Sequence, residues 1–302
     1  MCSLWGGRLA AIVSVGALLA ALVSACGNVL DPGKPVVVAA FYPLQFVAER
    51  VVGTHARVVN LTAPGVEPHD LELTVRAVAT VSGAAVGIYE QGLQPSVDEA
   101  MRNDAPRHEL EVSSVVHLHA PVPGERGAGG VDPHFWQDPS KLARVATAFT
   151  AVASRAEPAY AAVFGRNNRI LQGELTALDR AYRTGLAHCR TRDLVVAHDA
   201  FEYLGRRYHL RVHSIAGLAP DAEPSPRHLA KLADLIRHDR ITTVFTERLA
   251  SPQLARTLAS DLGIRTAVLD PLEGLTSTDP TASYLTLMRA NLDAIRRANS
   301  CS

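Results

Sequence analysis

The sequence lacks an excess of charge of either sign. Its 302 residues include 30 basic and 30 acidic side chains, which gives a formal net charge of zero. Nucleic-acid-binding domains usually present a basic face, so this balance gives no support to a nucleic-acid partner. Apolar residues make up 47% of the chain. A chain of this length and composition can bury a sizeable core and is predicted to form two domains.

Two further absences concern catalysis and membrane insertion. The sequence contains no His-Glu-x-x-His pattern, the helical signature of many zinc proteases. The apolar run from Leu9 to Ala25 is marginal as a membrane span, because a spanning helix needs about 20 apolar residues. With Arg8 as the one charge before it, the run indicates a secretory signal over residues 1–25.

The end of this signal indicates a lipid anchor. The sequence Val23-Ser24-Ala25-Cys26 resembles the bacterial lipobox, whose cysteine is acylated and becomes the mature N-terminus. The alternative is an ordinary signal cleaved near Ala25. A lipid on Cys26 would hold the protein at the outer face of the bacterial cell membrane. Residues 26–34 contain Pro and Gly and are predicted to form a tether.

Cysteine is scarce, with four in the whole sequence. Removal of residues 1–25 leaves Cys26, Cys189 and Cys301. If Cys26 carries a lipid, one pair remains, and an exported protein can oxidise that pair. We therefore predict a Cys189–Cys301 disulfide, with two unpaired thiols as the alternative.

The order of apolar segments predicts an α/β fold. Short buried strands alternate with helical segments in residues 35–140 and again in residues 189–302, which predicts a mostly parallel sheet flanked by helices in each. Residues 141–188 show no strand signal and are predicted to form long helices. We expect an N-terminal lobe, a rigid helical connector and a C-terminal lobe.

Three histidines occur in similar settings, each where a strand or loop passes into a helix. In open α/β folds such loops are where ligands bind. The wide spacing of these histidines means that only a folded pair of lobes could gather them. The three loops are Gly65–Asp70 with His69, Asp132–Pro139 with His134, and Val195–Phe201 with His198.

The residue types favour a metal site in the cleft between the lobes. Three imidazoles and one carboxylate suit tetrahedral Zn²⁺. The carboxylate could be Asp270 or Glu247, because both follow predicted strands of the second lobe. His117 and His119 stand at the edge of a Pro- and Gly-rich loop, where they are either solvated or part of a weak metal-collecting loop.

The mature sequence resembles the zinc- and manganese-binding lipoproteins that serve ABC importers, the metal-binding cluster of solute-binding proteins. The resemblance covers nearly all of the mature chain, and the stretches that carry it are Gly65–Asp70, Asp132–Pro139, His198–Leu204, Ala222–Pro226, Phe245–Glu247 and Leu269–Pro271. The resemblance implies two lobes joined by a rigid helix, a metal between them, a monomer, and delivery of the metal to an ABC permease. It also implies His69, His134, His198 and Asp270 as the ligands, with Glu247 as the competitor for the fourth position.

Other functions remain open at this point. In the family that the sequence resembles, histidine at the third ligand position, here His198, accompanies zinc use, and a carboxylate there accompanies manganese use. Manganese import is the alternative within the transport class. A zinc hydrolase would need a base such as Glu67 or Glu247. A surface adhesin with a structural metal is a third possibility. Many zinc-binding members carry a long His- and acid-rich loop between the first two ligands, and this chain lacks one.

Overall fold

The structure, a computed structural model, describes residues 33–120, 130–276 and 281–302. Residues 35–302 form one compact unit. The predicted signal peptide, the acylated Cys26 and most of the predicted tether lie outside the described residues, as does much of the loop that follows His119. Among the described helices, none combines the length and apolar character that crossing a membrane requires.

The first lobe is built on a four-stranded parallel sheet with the order β2-β1-β3-β4. Its central strand β1 is the apolar segment Val-Val-Val-Ala, and continuous apolar runs are typical of strands covered on both faces. The elements are β1 (Val36–Ala39), α1 (Tyr42–Val52), β2 (Arg57–Asn60), α2 (Val75–Ser82), β3 (Val86–Tyr89), α3 (Pro95–Asp104) and β4 (His108–Glu111).

Two helices connect the lobes, α4 (Pro139–Ala156) and α5 (Ala161–Gly185). Helix α4 begins at Pro139, with the Asp138 side chain accepting the Ser140 N–H as its N-cap. Helix α5 packs against α4, against α1 of the first lobe and against α9 (Tyr284–Ala298) of the second. A helix with contacts on both sides favours a fixed arrangement of the lobes.

The second lobe repeats the design of the first, with a parallel sheet of order β6-β5-β7-β8. Helix α7 (Pro226–His238) starts after the N-cap Ser225, whose hydroxyl accepts the His228 N–H. The predicted architecture of two α/β lobes is confirmed. Before α9 the elements are β5 (Asp193–Val196), α6 (Glu202–Tyr208), β6 (Arg211–Ser214), α7 (Pro226–His238), β7 (Thr243–Thr246), α8 (Gln253–Leu262) and β8 (Arg265–Val268).

A disulfide joins Cys189 and Cys301, the pair indicated by the sequence. The two residues also form an isolated antiparallel bridge, and the Arg190 N–H donates to the Asn299 carbonyl beside it. The last residues of the chain are thereby attached to the segment that enters β5.

Candidate metal centre

Three imidazoles and one carboxylate meet between the lobes. One ligand atom from each of His69, His134, His198 and Glu273 lies within 4.8 Å of all the others. His69 is in the loop that follows β2, and His134 is in the segment that leads into α4. His198 follows β5 and Glu273 follows β8, so each lobe contributes two groups.

The topology explains how distant residues come together. In open parallel sheets, ligands bind beyond the carboxyl ends of the strands, where the loops of neighbouring strands diverge. The imidazole centroids lie 5.4 Å apart for His134 and His198, 5.6 Å for His69 and His134, and 6.1 Å for His69 and His198. These separations let one nitrogen of each ring face a common point.

The orientation of His134 is fixed by a neighbouring carboxylate. Its Nδ1 lies 2.9 Å from Oδ1 of Asp132, and the same oxygen accepts the His134 backbone N–H at 3.0 Å. An ionised carboxylate only accepts, so Nδ1 carries a hydrogen, and in the neutral ring Nε2 is left with its lone pair. Carboxylate–histidine pairs of this kind orient imidazoles toward metals.

His198 repeats this arrangement in the second lobe. Its Nδ1 lies 2.7 Å from Oε1 of Glu247, which also accepts the His198 backbone N–H at 3.2 Å. Glu247 therefore lies on the side of the ring that faces away from the cluster. The structure places it behind His198 as an orienting group, outside the four residues that share the site.

Glu273 lies where the three rings converge and is 1% exposed. Its Oε1 is 3.1 Å from Nε2 of His134 and of His198, and 3.5 Å from Nε2 of His69. The Nε2 atoms of His69 and His134 are buried yet make no hydrogen bond within the described residues. Buried polar atoms without partners are uncommon. A cation bound between these imidazole nitrogens and the Glu273 carboxylate would give each of them a partner.

The charged groups of the cluster shift the pKa values of His134, His198 and Glu273. Burial disfavours imidazolium, but the nearby carboxylates of Asp132 and Glu273 outweigh it and raise the pKa of His134 to about 9. Burial also acts against the charge on His198, while Glu247 and Glu273 raise the pKa of His198 well above its usual value. The Glu273 pKa is held well below normal, because its histidine neighbours overcome the effect of burial. Protons and a metal cation would therefore compete for the same imidazole nitrogens.

His69 is the most accessible of the four groups. Its side chain is 11% exposed, whereas His134 and His198 are fully buried. The Glu67 carboxylate accepts the His69 backbone N–H at 3.1 Å. Burial and the nearby Glu273 raise the pKa of Glu67 to about 7. The loop with His69 thus forms the outer edge of the site.

The expected fourth ligand, Asp270, lies outside the group that the structure brings together. Asp270 Oδ1 accepts the Leu272 N–H at 2.8 Å, and Oδ2 lies 3.0 Å from Nε of Arg248. Each oxygen of the Asp270 carboxylate therefore has a partner other than the three histidines. The structure places Glu273, three residues further along, among the histidines at the position expected for Asp270.

Sequence reasoning missed Glu273 because it stands well past the end of β8. The available signal was a second carboxylate in the loop that the family resemblance had already selected. His117 and His119 lie outside the group as well. Their rings are 6.0 Å apart, and the His119 ring stacks on Tyr203 at 4.6 Å. The Tyr203 hydroxyl also donates to the Asp132 carbonyl at 2.8 Å. Tyr203 therefore connects His119 with Asp132, the residue that orients His134.

Two α/β lobes with a buried group of three imidazoles and a carboxylate between them define a two-lobe metal-binding protein. A family model described as the periplasmic component A of the zinc-uptake complex, ZnuA, matches residues 37–298. The chain belongs to this family.

Curated relatives agree with this assignment. The zinc-binding lipoprotein AdcA of Streptococcus pneumoniae serotype 4 is 31% identical over 298 residues, which cover 94% of this chain and 60% of that protein. The high-affinity zinc uptake system protein ZnuA of Bacillus subtilis is 30% identical over 296 residues, which cover 91% of this chain and 93% of that protein. The chain therefore spans only part of the length of the pneumococcal relative.

Solved structures show the same fold. The laminin-binding protein Lmb of Streptococcus agalactiae superposes with a TM-score of 0.79 at 25% identity, covering 88% of this chain and 99% of that one. The Zn(II)-bound ZnuA-like domain of Streptococcus pneumoniae AdcA gives a TM-score of 0.76 at 31% identity, covering 88% of this chain and 99% of that one.

Proposed function

We propose that this protein is an extracytoplasmic solute-binding lipoprotein that captures Zn²⁺ and delivers it to an ABC-type permease. The observation that carries the proposal is the convergence of three Nε2 atoms, from His69, His134 and His198, on the Glu273 carboxylate. In this proposal those four residues are the zinc ligands. Family membership and the zinc-binding relatives support it.

The ligand set favours zinc over manganese. Imidazole nitrogen suits Zn²⁺, whereas Mn²⁺ prefers carboxylate, carbonyl and water oxygens. Three nitrogens and one oxygen complete a tetrahedral zinc site, and Asp132 and Glu247 support two of the imidazoles from behind. Manganese import is the alternative that a competition experiment would reveal.

Transport requires binding and release, with no bond made or broken in the cargo. A catalytic zinc keeps one position open for water or substrate. The four side chains here would occupy all four positions, so we infer a transport role in place of hydrolysis. Release would begin at His69, because it is the most exposed ligand and sits on a loop.

The location and organisation of the mature chain form part of the proposal. Residues 1–25 would act as the lipoprotein signal, and a lipid on Cys26 would anchor the protein as a monomer at the outer face of the cell membrane. Residues 26–34 would be the tether, followed by the N-terminal lobe (35–140), the connecting helices (141–188) and the C-terminal lobe (189–302).

Native mass spectrometry with zinc and manganese both present tests the metal assignment. Using residues 27–302 after complete removal of metal, we expect one zinc per chain and no manganese. His198→Ala should abolish this preference. The matched control is His238→Ala, because the His238 side chain is 88% exposed and outside the cluster. Preferential binding of manganese would transfer the proposal to manganese import, and absence of any bound metal would refute it.

A further inference from the structure

The segment that carries Glu273 contains an unusual backbone conformation. Leu272 has a φ of 60°, in the left-handed region that favours glycine. Its side chain is fully buried, so glycine could not replace it without losing packing. The position of Glu273, the next residue, depends on whatever holds Leu272 in this conformation.

Asp270, in the same turn, stabilises the left-handed conformation of Leu272. Its Oδ1 accepts the Leu272 N–H at 2.8 Å, which closes a hydrogen-bonded ring across the turn. Oδ2 lies 3.0 Å from Nε of Arg248, and the residue is 5% exposed. One carboxylate oxygen therefore closes the turn, and the other pairs with Arg248.

The backbone of Asp270 is fixed in turn by helix α9. The Asn291 amide accepts the Asp270 N–H at 2.9 Å and donates to the Asp270 carbonyl at 2.6 Å. The carbonyl of Pro271 accepts from Trp136 Nε1 at 2.7 Å and from Gln137 Nε2 at 2.6 Å. These hydrogen bonds hold the backbone of Asp270 and Pro271 in place. The Asp270–Leu272 hydrogen bond then fixes Leu272, the residue before Glu273.

We propose that Asp270 is a positioning residue for zinc, which acts through Glu273 by holding the left-handed turn at Leu272. The inference rests on the proposed zinc-binding function. Orienting groups behind metal ligands commonly contribute 10- to 100-fold to metal affinity. Asp270 would supply this effect to the carboxylate ligand, as Asp132 and Glu247 do to the histidines.

A double-mutant cycle on the full-length protein separates this role from direct ligation. Zinc affinity is measured by chelator competition for the native protein, Asp270→Ala, Glu273→Gln and the double variant. We expect Asp270→Ala to weaken zinc binding at least tenfold in the native background. In the Glu273→Gln background the same change should have an effect within about twofold, the scatter of independent substitutions.

Two companion variants make the comparison specific. Asp270→Asn keeps an oxygen that can accept the Leu272 N–H and should restore most of the affinity. Asp261→Ala, an exposed acid in the same lobe, should leave it unchanged. The absorption spectrum of bound Co²⁺ gives a second readout, because its d–d bands report coordination. Asp270→Ala should change these bands in the native background and leave those of Glu273→Gln unaltered.

Several outcomes would overturn the inference. Equal losses from Asp270→Ala in both backgrounds would indicate direct ligation or a general folding defect, and no loss in either would remove the role. If Asp270→Ala does not fold, Asn291→Ala replaces it in the same cycle with the same expected result. Failure of the native protein to bind zinc would refute the proposed function itself, whereas an additive cycle in a zinc-binding protein would refute only this inference.

Discussion

Oε1 of Glu273 lies 3.1 Å from Nε2 of His198, although the two residues are 75 positions apart in the chain. The opposite nitrogen of the same ring lies 2.7 Å from Glu247. The two carboxylates therefore have different roles, because one faces the shared centre and the other orients the imidazole. Similar surroundings at His134, where Asp132 holds Nδ1, extend this arrangement to the first lobe.

Zinc affinity is expected to fall as the solution becomes more acidic. Desolvation acts against a charged His134, but Asp132 and Glu273 raise its pKa to about 9 in the metal-free protein. Zinc must displace the protons that these imidazoles hold below that pH, because only neutral imidazole ligates. Calorimetry at pH 7 in buffers of different ionisation enthalpy should show release of about one proton or more per zinc. Binding without proton release would contradict the raised pKa values of His134 and His198.

The orienting role of Glu247 predicts a specific loss. Glu247→Ala leaves the His198 Nδ1–H without its buried acceptor, so the ring can turn away from the centre. Zinc affinity should fall about 10- to 100-fold, with one zinc still bound per chain. Chelator competition measures the change, and Glu109→Ala, an exposed acid on β4, is the control. A complete loss of the site would instead make Glu247 a ligand.

The disulfide is expected to stabilise the fold without affecting the site. Cys189 and Cys301 are separated by 112 positions, so their bond closes a long loop. The double variant Cys189→Ala/Cys301→Ala should lower the free energy of unfolding by up to about 4–5 kcal/mol. Chemical denaturation of metal-free protein measures this value. Zinc affinity measured on the same variant should stay within about twofold, since the site is independent of this bond.

Metal binding should change the shape of the protein only slightly. Hydrogen bonds connect the lobes directly: Trp136 and Gln137 donate to the Pro271 carbonyl, and Gly65 donates to the Leu275 carbonyl at 2.7 Å. Helix α5 contacts elements of both lobes as well. Small-angle scattering with and without zinc should give nearly the same radius of gyration. A large compaction on binding would show that the lobes close around the metal.

The sequence predicted the fold well because its strands are short apolar runs separated by recognisable helix caps. One strand differed. The apolar content of residues 110–116 predicts a strand there, whereas β4 spans His108–Glu111. The Glu111 carboxylate accepts the N–H groups of Ser113 and Ser114, which turns the chain into a short 3-10 helix. Such local competition between a side chain and the backbone is difficult to read from apolar content alone.

The site could be predicted in part for a physical reason. The three histidines follow strand ends or precede a helix, so topology gathers them, and their convergence follows from the fold. The fourth residue depends on one turn. A left-handed conformation at Leu272 redirects the chain between Asp270 and Glu273, and a leucine gives no sign of it. The sequence alone therefore gives no reason to prefer Glu273 to Asp270.

X-ray absorption at the zinc K-edge is the most direct test of the central claim, because it reads the atoms that surround the metal. The zinc-loaded protein should show three imidazole nitrogens and one carboxylate oxygen at about 2.0–2.2 Å. In Glu273→Gln the oxygen contribution should change while the three imidazoles remain. Five or six oxygen neighbours, or fewer than three imidazoles in the native protein, would contradict the site formed by His69, His134, His198 and Glu273.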